Sequence, residues 1–367
     1  MNAEEAIKQM KDIQSIFLDF LDKESNAEIN HEKLLKVISD YKITEEKHKF
    51  ISLLQLINVI GNNHRRFANF ISKIERTLQN FKTDIHKYLT NFEIFDLFKN
   101  NKRILLYFIQ EQILIIDSST VTEITEQFEF PCYPQYFAPE IKQYITNEFI
   151  ESYYQKHSGS THIEWIDQVI KNEIQKDFYE KRIKGENDDL LSEIIRNDNI
   201  KEFSNYITEK KIPLDSHIYR SIFETNPLLM MNKKIKLINY AAFYGSIEIF
   251  KFLHLNGCKT NSKIWLYAIH SKNFELIQYI ESNQIPFPNK LKVRLFKTSF
   301  CGCSSYENGY EVLLDESINC HHNELANYII QTKSNPNIDQ NDYEHNIYCY
   351  CFKSHNYLFL PEIIDCK

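Results

Sequence analysis

Glycine and proline are scarce here, at 7 and 9 of 367 residues. Hairpins and phosphate-cradling loops need residues that tolerate left-handed backbone. Their scarcity disfavours an all-β fold and a nucleotide site and makes helix the default. Long apolar runs are missing too: the most apolar stretch, Ile104 to Ile116, is broken by Gln110, Glu111 and Gln112 and falls short of the ~20 residues that span a bilayer. No membrane insertion is expected. Nor is there a basic stripe. The 43 basic and 50 acidic side chains are mixed along the chain and give a formal charge of −7, so nucleic acid is not an expected partner. The opening M-N-A-E-E-A-I-K-Q-M lacks the basic start and apolar run of a signal peptide. The eight cysteines are accordingly expected to be reduced thiols in the cytoplasm, with nothing in the sequence that excludes the nucleus. G-x-S-x-G, P-loop, G-x-G-x-x-G and H-E-x-x-H signatures are all absent, so neither enzyme activity nor a cofactor is expected.

An apolar content of 43% and an aromatic content of 14% are enough to build cores, and the length suggests two domains or a domain plus a solenoid. Residues 1 to 180 read as successive helices forming an N-terminal domain. Ile7, Met10, Ile13, Phe17 and Phe20 make one stripe; Leu34, Leu35, Val37 and Ile38 a second; Phe50, Leu53, Leu54, Ile57 and Ile60 a third, stopped by Gly61-Asn62-Asn63. Helices are expected next over Phe67 to Leu78 and Phe81 to Leu89, then a pair over Asn91 to Phe98 and Ile104 to Ile113. Pro131, Pro134 and Pro139 mark a bend, His157 to Ser160 is linker-like, and Lys184 to Asp189 is the entry to the second half of the chain.

Asn239 to Asn261 carries the clearest local pattern. Ala241 and Ala242 allow close helix approach, Gly245 can take the positive φ that ends a helix, and Ile247, Phe250, Leu253 and His254 share one face of a second helix closed by Asn256-Gly257. This helix, turn and helix recurs from Ala268 with Phe274, Glu275, Leu276, Ile277 and Ile280. It recurs from Ser317 with Glu324, Leu325, Ala326, Tyr328 and Ile329, closed by Asn335-Pro336-Asn337, and more weakly with Ile194, Ile200, Phe203, Tyr206 and Ile207. So short a pair cannot bury its apolar face alone and needs stacked neighbours.

From its paired alanines to its N-G-x-x-x-N ending, Ala241 to Asn261 resembles the ankyrin repeat, although Lys236, Leu237, Ile238 and Asn239 stand where T-P-L-H is usual. The steps between copies, 47, 27 and 49 residues, depart from a period of about 33. The array is degenerate, with insertions near 215–234 and 289–311. Asn91 to Ile109 and Tyr136 to Ile141 are similar to segments of a large protist group of ankyrin proteins defined by a domain of unknown function. The expected architecture is all-α: a helical N-terminal domain (1–180), a degenerate ankyrin-repeat solenoid (187–337), and a C-terminal cap or tail (338–367).

The resemblance implies a non-enzymatic scaffold that binds a protein partner on its concave surface, lined by first-helix positions and loop tips. Those positions are Tyr240, Phe243, Tyr244, Tyr267, His270 and Ser271, with Lys259, Thr260, Asn261 and Phe287 at the tips. Aromatic residues there suit an interface, unless the insertions or the N-terminal domain cover them. A two-partner adaptor that also uses the N-terminal helices is the neighbouring alternative. Trp265, at a first-helix core position, is expected to be buried. Cys301-Gly302-Cys303, Cys320-His321-His322 and Cys349-Tyr350-Cys351 raise an alternative of another class, an enzyme or zinc protein using residues after 300. Structural zinc prefers C-x(2–4)-C pairs, and both close pairs here are C-x-C, so no metal is expected. The resemblance also puts His321 and His322 where ankyrin repeats often place Gly-His, a structural position.

Overall fold

The computed structural model describes residues 3–25, 27–66, 69–126, 132–156, 164–171, 176–291, 308–333 and 340–360. Cys301-Gly302-Cys303, His157 to Ser160 and Asn335 to Asn337 lie outside them. The protein is mostly helical; among the described residues the only strands are two of three residues each, paired with one another.

In chain order the first helices are α1 (Ala3–Asp22), α2 (Ala27–Asp40), α3 (Lys47–Asn63) and α4 (Phe70–Gln79). Then come α5 (Lys82–Tyr88), α6 (Asn91–Phe98), α7 (Lys102–Gln110), α8 (Ser118–Thr125), α9 (Tyr133–Tyr136), α10 (Ala138–Ile141), α11 (Asn147–Lys156), α12 (Glu164–Lys171) and α13 (Phe178–Lys184). After α14 (Leu190–Arg196) and α15 (Ile200–Glu209), strand β1 (His217–Tyr219), α16 (Pro227–Met231) and strand β2 (Lys234–Lys236) interrupt the helix pairs. The pairs resume with α17 (Leu237–Tyr244) and α18 (Ile247–Leu255), α19 (Ile264–Ser271) and α20 (Phe274–Ser282), and α21 (Gly309–Asn319) and α22 (Asn323–Lys333). Helix α23 (Gln340–Lys353) and a 3-10 turn, Tyr357–Phe359, are the last elements among the described residues.

The chain divides into two compact units, and they cut it differently from the sequence division at 180. Residues Met1–Gln79 belong with Ile194–Ile218 and Lys236–Lys367, while Asn80–Glu193 and Tyr219–Ile235 form the second unit. Residues 215–234, read as an insertion, therefore lie mostly in the second unit.

In the first unit, the stripe of α1 buries Met10, Ile13, Phe17 and Phe20, and α1 packs on α2, α4 and the Tyr357–Phe359 turn. The stripe of α3 buries Phe50, Leu53, Leu54, Ile57 and Ile60, and the helix runs through Gly61 to Asn63 before it stops. α3 packs on α4 and α21. The first helices of successive pairs lie side by side, α17 against α19, α19 against α21 and α21 against α23. Trp265 is buried as expected.

The turns explain the irregular spacing. Each first helix ends on a residue with positive φ: Asp198 (49°), Gly245 (70°), Lys272 (49°), His321 (57°) and His355 (50°). The first four recur at steps of 47, 27 and 49 residues. Each second helix of the first three pairs ends likewise, at Lys211 (52°), Gly257 (83°) and Gln284 (54°). The distance from first to second turn is nearly constant at 13, 12 and 12 residues, so the variation lies wholly between pairs. Insertions there leave the helix–turn–helix intact.

In the second unit the polar centre is Arg182 of α13. Its guanidinium donates to both carboxylate oxygens of Glu140, at 2.7 and 2.8 Å, and to the Tyr136 carbonyl at 3.1 Å. The Tyr136 hydroxyl donates back to the Arg182 carbonyl at 3.0 Å. Lys102 of α7 lies over the Tyr136 ring and donates to the Ile222 carbonyl at 2.6 Å; burial drops its amine to about 7. Asn91 to Ile109 and Tyr136 to Ile141, the segments with the wider resemblance, form α6, α7 and α10 of this unit.

Gly245 tests the turn. A Cβ added there would lie 3.1 Å from the Ser271 Cβ and 3.2 Å from the Asn273 Cβ, on a backbone disfavoured for L-residues, whereas one at Gly257 meets nothing within 4 Å. Gly245→Ala should lower the unfolding free energy by about 1–2 kcal/mol, and by more than Gly257→Ala does. Equal losses in urea titrations would contradict the close approach at Gly245.

Candidate functional site

A polar centre inside the first unit lies where its helix pairs turn. Burying a turn carbonyl requires a partner, and in successive pairs the residue just after the turn provides one. Ser246 Oγ donates to the Ile195 carbonyl at 2.6 Å, Asn273 Nδ2 to Gly245 at 3.0 Å, and Asn356 Nδ2 to Ile318 at 2.9 Å. His322 does the same: its Nδ1 lies 2.9 Å from the Ile269 carbonyl, which can only accept, so the proton is on Nδ1. That leaves the His322 Nε2 lone pair buried, and it has no hydrogen-bond partner among the described residues. Each tie joins one helix pair to the one before it.

The N-terminal helices meet these turns. His64, at the end of α3, has Nδ1 2.9 Å from the Cys320 carbonyl and Nε2 2.7 Å from Asp22 at the end of α1. A doubly protonated ring satisfies both acceptors, and in that form His64 and Asp22 are an ion pair. Lys272 adds a second cation at 3.3 Å from Asp22. Burial alone would raise the Asp22 carboxyl, but His64 and Lys272 outweigh it and hold the group below its ordinary range. Gln14 of α1 donates to His321 Nδ1 and to Asn356 Oδ1, both at 2.8 Å, and accepts from the Leu358 backbone at 2.9 Å. His321 Nε2 in turn donates to the Ser354 carbonyl at 3.0 Å. The His321 ring is therefore neutral, with its proton on Nε2 and a lone pair on Nδ1 facing the amide.

Beside this network lie three side chains of contrasting chemistry. His270 of α19 has Nε2 2.7 Å from Glu316 Oε1 and Nδ1 3.6 Å from Cys320 Sγ. Glu316, in the last turn of α21, and Cys320, the residue that caps its end, are four residues apart, one turn from each other. The Phe243 ring stacks on His270 at 5.1 Å. All three are at most 3% exposed. Burial, with Glu316 and Asp315 adding their negative charge, pushes the Cys320 thiol well above its ordinary value. A thiol kept protonated and out of reach of solvent is poorly suited to nucleophilic attack. Asp315, the next residue on α21, pairs with Lys353 at 2.7 Å.

The partner surface read from sequence divides in two. Tyr240, Phe243, Tyr267, His270 and Ser271 are buried. Tyr244, Thr260 and Phe287 are half-buried, and Lys259 and Asn261 are exposed. The first-helix positions are covered because α17, α19 and α21 pack on one another: the Tyr240 hydroxyl accepts from Arg196 at 3.2 Å, and Phe243 lies on His270. Phe287 packs against Trp265 with Lys333 over both rings. Of the ten positions, Lys259 and Asn261 at the tips are exposed, and Tyr244, Thr260 and Phe287 are partly so. Sequence reasoning did not bring His64, Asp22 or Glu316 into the centre; their one signal is polarity at helix ends, shared with many solvated residues.

The buried neutral histidines set a pH dependence. In the unfolded chain His321 protonates near 6.5, whereas in the fold burial, then the charge of His64, push it down to about 3. His322 is displaced the same way by burial and His64. Because the folded values are depressed, their contribution is complete above pH 6.5 and is lost as pH falls below it, by up to about 1.4 kcal/mol per pH unit for each ring. Urea unfolding at pH 5 should give a stability lower than at pH 7.5 by about 2 kcal/mol from His321, with His322 acting in the same direction; an unchanged value would contradict the neutral assignment. Comparison with protein-family models, curated proteins and solved structures gave no match.

Proposed function

We propose that the chain is a non-enzymatic protein-binding module of ankyrin-like repeats, which presents its inter-repeat tips to a protein partner. The observation that carries the reading is the recurrence of one left-handed turn at Asp198, Gly245, Lys272, His321 and His355, the last four followed by one type of side-chain tie to the preceding helix pair. Repetition of this kind builds an extended scaffold rather than a catalytic cleft. With Tyr240, Phe243 and Tyr267 committed to packing, recognition falls to Lys259, Thr260 and Asn261, with the half-buried Tyr244 and Phe287. The thiol on which an enzymatic reading would centre, Cys320, is buried and held protonated, and this too favours binding over catalysis. Among the described residues no helix is long and apolar enough to cross a membrane, which fits a partner met in water.

The test is affinity capture from the source cell with wild type and a Lys259→Glu, Thr260→Arg double variant, both checked for helical circular dichroism. A protein retained by the wild type and lost from the folded double variant supports the tip surface. Capture of the same proteins by both would rule it out.

A further inference from the structure

Three groups of the polar centre combine the ligand types of a transition-metal site. His270 Nε2, Glu316 Oε1 and Cys320 Sγ all lie within 4.8 Å of one another. Their separations are 2.7 Å for nitrogen to oxygen, 3.9 Å for nitrogen to sulfur and 4.0 Å for sulfur to oxygen. Zinc bonds of ~2.0–2.3 Å at tetrahedral angles put such donors about 3.3–3.6 Å apart. An ion would open the imidazole–carboxylate pair by roughly 0.6 Å and draw the sulfur in by roughly half an ångström, within reach of side-chain rotation. The helix supplies the frame: Glu316 and Cys320 chelate from the end of α21, and His270 comes from the neighbouring α19.

Charge balance also favours an ion: a divalent cation neutralises one thiolate and one carboxylate in a setting that water does not reach. We propose that His270, Glu316 and Cys320 bind a divalent zinc-type ion inside the first unit. The ion links the α19 side chain to the end of α21 among side chains at most 3% exposed. Binding releases the Cys320 proton, so uptake strengthens as pH rises. These are not the residues of the C-x-C pairs, and the site is independent of what the tips bind.

The full chain, stripped with chelator and dialysed, is titrated with Co²⁺ and then Zn²⁺. One equivalent of Co²⁺ should give a thiolate-to-cobalt charge-transfer band that Zn²⁺ displaces. The band should vanish in Cys320→Ser, weaken in Glu316→Gln, and persist in Cys349→Ser, which removes the half-exposed thiol 3.6 Å from His345. If Cys320→Ser does not fold, X-ray absorption of the zinc-loaded wild type decides, with one sulfur and at least two nitrogen or oxygen donors expected. No stoichiometric uptake, a band that survives Cys320→Ser in folded protein, or a zinc shell without sulfur would overturn the site.

Discussion

The first unit depends on one recurring interaction: a side chain just past a left-handed turn donates to a carbonyl at the end of the preceding first helix. A helix ending inside a protein leaves carbonyls that must find donors. Ser246, Asn273, His322 and Asn356 are those donors, so satisfying each helix end also docks the next pair. Different chemistries serve the same need, a hydroxyl, two amides and an imidazole, which hides the pattern from residue identity alone. Asp198 extends the theme by accepting from the Glu248 and Ile249 amides at 3.1 and 3.0 Å, capping the second helix of the next pair.

Polar ties allow polar neighbours. Once the turns are joined by hydrogen bonds, the ends of α1 and α3 can rest on them through Gln14, Asp22 and His64 rather than through apolar packing. Two carboxylates there carry opposite partners, Asp22 with His64 and Lys272, and Asp315 with Lys353. Such pairs add little net stability but are costly to break singly. The Asp22–Lys272 pair, with the Gln14 and His64 hydrogen bonds, joins residues 1–79 to helices more than a hundred residues later in the chain.

Much of the helical framework was legible in the sequence. The apolar spacing in α1 and α3 marks faces that are buried, and Gly245 takes the positive φ its position suggested. The register Ile194, Ala241, Ala268 and Ser317 places each residue four before its turn, because the helix pair is a local unit of constant length. Asp198, Lys272 and His321 take the same backbone as Gly245 with no glycine to announce it. What covers a face was not legible. Tyr240 and Tyr267 belong to the core because neighbouring first helices close over them, a non-local event that periodicity in one helix does not encode. For the same reason His270 gave no sign of Glu316 and Cys320, which meet it across a gap of about fifty residues.

Native-state hydrogen exchange is the most direct test of the recurring turn. The amides of Ser246, His322 and Asn356 donate to the Ala241, Ser317 and Cys351 carbonyls at 2.9, 3.0 and 2.9 Å. If the turns hold the stack together, these amides exchange only through the opening that exposes the buried core of α17, α19 and α21, with similar protection at all three. Fast exchange at the turns while those helices stay protected would show that the stack does not depend on them.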